Sequence, residues 1–173
     1  MDDPTRAWTP ADVWIPINPP IRSGQIKKRT IYRDKAGKQF AGMRQNPKYE
    51  AALEALSGVL FHARPYGWFP KEEAVRVEVR LYLPYLKSTP KRDRGKLLPI
   101  TTTPDWDNVA KMYGDALTRG GWLVDDKWIT RGSLWMRRSP IVGLRLLVIP
   151  DDTGEELADL HALAGLFAGK EKG

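Results

Sequence analysis

The sequence predicts an α+β domain: a single mixed or antiparallel sheet with two helices packed on one face. Three observations lead there, namely two stretches of apolar alternation, two amphipathic segments with helix starts and stops, and a closing strand pair joined by a short turn. At 173 residues, 42% hydrophobic and with seven Trp, the chain is long enough to bury a core without staples. It contains no Cys, which excludes disulfides, thiolate metal sites and a Cys nucleophile, and agrees with a reducing compartment. No long apolar run exists to span a membrane, and Met1–Pro10 lacks the apolar core of a secretory signal, so a soluble cytoplasmic protein is expected.

In "DVWIPINPP", Val13, Ile15 and Ile17 alternate with other residues before Pro19 and Pro20 stop further pairing, which predicts the first strand. Residues 22–40 read as a basic hairpin, "RTIYR" and "KQF" flanking the turn "DKAGK". Asn46 is a good N-cap and Pro47 suits the first helical position, so a helix follows, with Ala51, Leu53, Leu56, Val59 and Leu60 as its apolar stripe and "RPYGWFP" as its stop. His62, near that end, is read as a helix-terminus residue rather than a ligand. "AVRVEVRLYLPYL" alternates Val75, Val77, Val79 and Leu81 with Arg76, Glu78, Arg80 and Tyr82, a strand with one buried face. "KSTPKRDRGKLLPITTTP" reads as an exposed flexible loop. The second helix, "DNVAKMYGDALTRGG", takes Asp107 or Asn108 as cap and Gly120–Gly121 as stop, and two strands, "KWITRGSLWMRR" and "VGLRLLVIP", close the fold. Residues 152–168 read as a further amphipathic helix. The expected organisation is an N-terminal extension over 1–11, one domain over 12–150, and an acidic helical extension over 151–173.

The net charge of +7 hides an asymmetry: residues 151–173 hold six acids and two Lys, leaving +11 on residues 1–150. A body that positive points to an anionic partner, and nucleic acid is the commonest large one. Lys27, Lys28 and Arg29 of the hairpin, and Lys91, Arg92, Arg94 and Lys96 of the loop, are the expected phosphate contacts.

Against that background the acids of "TTTPDWDNVAKMYGDALTRGGWLVDDKWI" stand out. Asp105 and Asp107 face one point only if the helix starts at or after Asp107, because two residues apart they align in extended backbone and diverge within a helix. Lys111 follows Asp107 by one helical turn and lies on the same side. If Asp125 and Asp126 open a strand they point to opposite faces, so one of them joins the first pair, Asp126 being favoured. Carboxylates gathered round one point need a cation, and without Cys or paired His the ligands are all oxygen, which suits Mg²⁺ or Mn²⁺ rather than zinc. Such a site activates water and stabilises charge building on a phosphodiester, with Lys111 able to assist. The bland reading is that the D-x-D is a helix cap and the D-D a turn. Asp115, one turn beyond Lys111, is assigned a supporting role, pairing with the lysine. Trp106, Trp122, Trp128 and Trp135 are read mainly as core, Trp106 above all, with stacking on unpaired bases as the other reading.

The run "PDWDNVAKMYGDALTRGGWLVDDKWI" resembles the RusA family of Holliday junction resolvases, in its D-x-D-N-x-x-K helix start, its D-A-L, and its glycine turn into a hydrophobic D-D. The likeness is concentrated in residues 104–130 and extends more weakly over most of 12–149. It implies a homodimeric, Mg²⁺-dependent endonuclease that introduces paired symmetrical nicks into four-way DNA junctions. Asp105, Asp107 and Asp126 would then be the metal-binding catalytic acids, Asp125 an auxiliary metal ligand and Lys111 the essential basic residue. The chain departs from the family pattern in its longer segment from Lys87 to Thr103 and in its acidic tail.

Two other functions fit parts of the pattern. A non-catalytic DNA-binding protein would use the same basic surface, with the acids only capping and bracing the fold. A nucleotide-sugar transferase would use D-x-D to hold Mn²⁺ against a diphosphate, but the chain lacks the run of β-α units expected of a nucleotide-binding half.

Overall fold

Five strands form the main sheet in the spatial order β1 (Ala11–Ile15), β7 (Gly143–Pro150), β4 (Val75–Leu83), β6 (Ile129–Arg138) and β5 (Leu98–Pro99). A separate antiparallel hairpin joins β2 (Lys28–Arg33) to β3 (Gln39–Arg44). This computed structural model describes residues 10–21, 28–33, 35–44, 46–100 and 105–151. The 1–11 extension, apart from its last two residues, and the acidic helix expected over 152–168 therefore lie outside the described residues.

All neighbours in the main sheet are antiparallel except β4 and β6. A parallel pair cannot be joined by a hairpin; it needs a crossover, and α2 (Trp106–Arg119) lies on that connection. The other helix, α1 (Pro47–Ala63), starts as the sequence predicts, with Asn46 accepting a hydrogen bond from the Lys48 amide at 3.0 Å and Pro47 at the first helical position.

Alternation decides which face of the sheet is covered. Val75, Val77, Val79 and Leu81 of β4 are buried, and the register sets Leu144, Leu146 and Val148 of β7 beside them and Ala11 and Ile15 of β1 beyond. Leu53, Leu56 and Leu60 of α1 and Val109, Met112 and Leu117 of α2 join the same cluster, so both helices lie on this one face. Tyr49 rather than Ala51 begins the buried stripe of α1. The molecule is thus an α+β fold with a mixed sheet and two helices on one face, as expected from the sequence.

The helices meet at Gly120, where an added Cβ would lie 2.9 Å from the Ala116 carbonyl oxygen and 3.1 Å from both Leu60 Cβ and the Ser57 oxygen. Gly121 follows at φ +69°, the left-handed position that ends a helix at little cost only for glycine. Trp122 is fully buried directly after the turn; its indole Nε1 donates to the Leu60 oxygen at 2.7 Å, while Trp68 Nε1 donates to the Trp122 oxygen at 3.1 Å. The turn is thereby tied to the end of α1, and truncating an indole so placed costs about 3–5 kcal/mol.

Four local readings change. The second helix begins at Trp106 with Asp105 as N-cap, not at Asp107 or Asn108, so Asp107 lies inside the helix and the extended-backbone alignment of Asp105 with Asp107 is not met; the two converge only through their side-chain rotamers. Its first turn is held by Trp106, whose Nε1 donates to the Leu134 oxygen of β6 at 2.9 Å, so tertiary docking sets the start. Trp106 is consequently half exposed at 52%, contrary to its expected burial, because only the indole edge reaches the sheet. Asp125 and Asp126 open a 3-10 turn (Asp126–Trp128) instead of a strand, since the Asp125 carboxylate caps the Lys127 amide at 3.0 Å. The basic loop after β4 is exposed but built: Tyr85 hydroxyl donates to the Lys96 oxygen at 2.7 Å and accepts from the Gly95 amide at 2.8 Å.

Candidate active site

Helix α2 turns a buried side to α1 and the sheet and leaves an exposed stripe. Asp107, Lys111 and Gly114 are spaced i, i+4, i+7 on that stripe, one above another. The 3-10 turn before β6 then brings Asp126 against Gly114: a Cβ added to the glycine would lie 3.8 Å from Asp126 Cβ and 4.0 Å from its Oδ2. Residues from two segments separated by the glycine turn are thus collected on one side of α2.

Proximity along the stripe is graded. Asp107 is seven residues from Gly114, which is about 10 Å of helix rise, and Lys111 stands between Asp107 and the Asp126 contact. Asp105, at the N-cap, makes no side-chain capping bond, so its carboxylate is not spent on the helix end. Asp105, Asp107, Lys111 and Asp126 are all exposed, and Lys111 makes no hydrogen bond or ion pair among the described residues. Among the described residues no three Asp, Glu or His side chains form a ready-made cation cluster.

Asp125 and Asp126 differ in what they touch. The Lys127 amide donates to Asp125 and holds its carboxyl below the usual carboxylate range, against a desolvation that works the other way. The Lys127 ammonium, 3.8 Å from Asp125, and a hydrogen bond with Asp126 add to the lowering. Asp125 therefore stays ionised while shaping the turn that presents Asp126.

Asp115 faces α1, where Tyr49 hydroxyl donates to its Oδ2 at 3.2 Å. Burial pushes the Tyr49 phenol up to about 12, with the Asp115 charge and the hydrogen bond contributing after it. Asp115 thus braces the two helices, and no ion pair joins it to Lys111 among the described residues. One further oxygen of the D-x-D-N start, Asn108 Oδ1, is buried without a hydrogen-bond partner among the described residues. Sequence reasoning considered Asn108 only as a cap; its place directly after the D-x-D was the available signal.

The basic residues separate into two groups. Lys28 and Arg29 fall in β2, and Lys27 lies outside the described residues. In the loop, Arg94 donates to the Thr89 and Lys87 oxygens at 3.2 and 3.4 Å, and Lys96 and Arg92 pair with Asp93 at 3.1 and 3.8 Å. Lys91 is exposed and makes no ion pair among the described residues. Of the four indole-bearing residues around the acids, Trp122 alone is fully buried, while Trp135 is 50% exposed. Among the described residues no helix is long and apolar enough to cross a membrane.

A scan against family models matches residues 20–146 to the endodeoxyribonuclease RusA family. No curated protein matches the chain. The matched span contains both helices, the stripe of Asp107 and Lys111, and the turn that carries Asp126, and it covers well over half of the 173 residues. On this evidence the chain belongs to the RusA family of endodeoxyribonucleases, the Holliday junction resolvases.

Proposed function

We propose that this protein is a Mg²⁺-dependent, structure-selective endonuclease that resolves Holliday junctions or other branched DNA by paired symmetrical nicks, acting as a homodimer. The observation that carries the reading is the packing of Asp126 on Gly114, on the helix stripe that also bears Asp107 and Lys111 and inside the span matched to a DNA-cleaving family.

The donor chemistry fits a hard divalent ion. Every candidate ligand is an oxygen, the acids are exposed and free to change rotamer, and the buried oxygen of Asn108 lacks a partner among the described residues. Asp105, Asp107 and Asp126 would hold the ion, with Asp125 as auxiliary ligand and Mn²⁺ as a possible substitute. When bound, the metal supplies a Lewis acid and a water of lowered pKa for attack on phosphorus.

The chain's own groups do the remainder. Lys111, exposed on the stripe, offers its ammonium to the charge that builds on the phosphate oxygens or on the leaving oxygen. Asp125 keeps the turn closed through the Lys127 amide, which holds Asp126 at the helix. Lys28, Arg29 and Lys91 supply phosphate contacts that set register without reading sequence. A two-fold dimer would present two copies of the site to the two equivalent strands of a junction.

The test is cleavage of a synthetic four-way junction in Mg²⁺, mapped to the nucleotide, with and without EDTA. Paired nicks at symmetrical positions, abolished by chelation, are expected. A wild-type protein that binds the junction but never cuts it, over a range of metals and salt, would instead be the non-catalytic DNA-binding protein.

A further inference from the structure

The face of the main sheet opposite the helices is not apolar. Strand alternation puts Asp12 and Trp14 of β1, Arg145 of β7, Arg76, Glu78, Arg80 and Tyr82 of β4, and Trp135 and Arg137 of β6 on it, with Leu147 and Ile149 of β7 as a half-buried apolar pair among them. The register aligns one row across four strands: Trp14, Arg145, Arg80, Trp135. Tyr82 and Arg137 lie side by side in the next row. Both Trp side chains are about half exposed, at 45% and 50%, where a core reading requires burial.

The row is held in place. The Trp14 ring lies over Gly143, where a Cβ would stand 2.2 Å from it, and its centroid is 5.6 Å from that of Tyr82. Arg145 donates to Asp12 through two nitrogens, one bond at 2.9 Å, and Arg80 pairs with Glu78. Arg137 sits 5.8 Å from the centre of the Trp135 ring, and no carboxylate pairs with it among the described residues. Arg76, Arg80, Arg137 and Arg145 outnumber Asp12 and Glu78, so the face carries a net positive charge.

We propose that this face binds an unpaired DNA strand, with bases stacked on Trp135 and Trp14 and phosphates met first by Arg137, beside Trp135, within the net positive field of the face. The row spans three strand spacings, about 14 Å. Exposed aromatics interleaved with Arg on a sheet are the chemistry of single-strand recognition, because an unpaired base offers its flat surface and a duplex does not. A second copy of this chain is the less suitable occupant, since pairing the face with itself would oppose like charges.

One strand, β6, links this face to the start of α2. Leu134 of β6 accepts the Trp106 bond at the start of α2, and Trp135, the next residue, points to the opposite side of the sheet.

The inference rests on the DNA-handling function proposed above, but binding in EDTA tests it apart from cleavage. Anisotropy of a fluorescein-labelled oligothymidylate would be compared with that of a blunt duplex, for the full-length wild type and for Trp135→Ala and Trp14→Ala, with thermal melts and solution mass as controls. Each folded variant is expected to lose about 5- to 20-fold in oligothymidylate affinity while duplex affinity changes by less than about twofold. The two variants lie on different strands, so failure of one to fold leaves the other to decide. Unchanged oligothymidylate affinity, an equal loss on duplex, or a change in solution mass that marks the face as a contact between copies would overturn the proposal. A wild type that cleaves no junction yet binds oligothymidylate through these residues would refute the nuclease reading alone.

Discussion

Asp126 rests on Gly114: the carboxylate-bearing turn before β6 touches α2 where the helix has no side chain. Contact at 3.8 to 4.0 Å is ordinary van der Waals distance, so a single methyl fits there. Gly114→Ala is expected to raise stability by about 0.5–1 kcal/mol, the usual gain of Ala over Gly inside a helix, with the turn in place. Gly114→Leu has no such room and is expected to push Asp126 off the helix, lowering junction cleavage at least tenfold while circular dichroism stays native. Denaturant melts and cleavage rates of the two variants check both halves.

Gly120 obeys the opposite rule. Its surroundings at 2.9 to 3.1 Å include two backbone oxygens, which a side chain cannot push aside. Gly120→Ala is expected to force the helices apart and cost about 1–3 kcal/mol, read as a lower urea midpoint with unchanged slope.

The Tyr49–Asp115 bond predicts a pH dependence. Tyr49 ionises near 10 when unfolded and is pushed up to about 12 in the fold, so the native state holds its proton longer than the unfolded state does. Stability from this group is whole below pH 10 and falls as pH rises toward about 12. Burial shifts Tyr113 in the same direction. Tyr49→Phe should therefore flatten part of the alkaline limb of a stability profile, and cost about 1 kcal/mol at neutral pH through the lost hydrogen bond.

Much of this was legible from the chain alone. Strict alternation over Val75–Leu81 named the core face of β4, and Asn46–Pro47 named the start of α1, because both signals are local. What was not legible depends on contacts distant in sequence. The start of α2 follows from Trp106 reaching Leu134, 28 residues away, and no cap preference encodes that. Asp115 was assigned to Lys111 by helical spacing, but Tyr49, 66 residues earlier, supplies the bond. The loop residues Arg94 and Lys96 read as free phosphate contacts because composition records charge and not the carbonyls and Asp93 that occupy it. At the candidate site, spacing correctly placed Asp107 and Lys111 on one helix, whereas the stripe's contact with Asp126 depends on how the glycine turn folds back.

The most direct measurement is nicking of a synthetic four-way junction in Mg²⁺ by wild type and Asp126→Asn, with junction binding measured in EDTA alongside. Removing one carboxylate charge is expected to reduce cleavage at least a hundredfold while junction affinity holds within about threefold, since the phosphate contacts remain. Cleavage by Asp126→Asn at the wild-type rate would contradict the claim that this residue, brought to α2 at Gly114, serves the hydrolytic site.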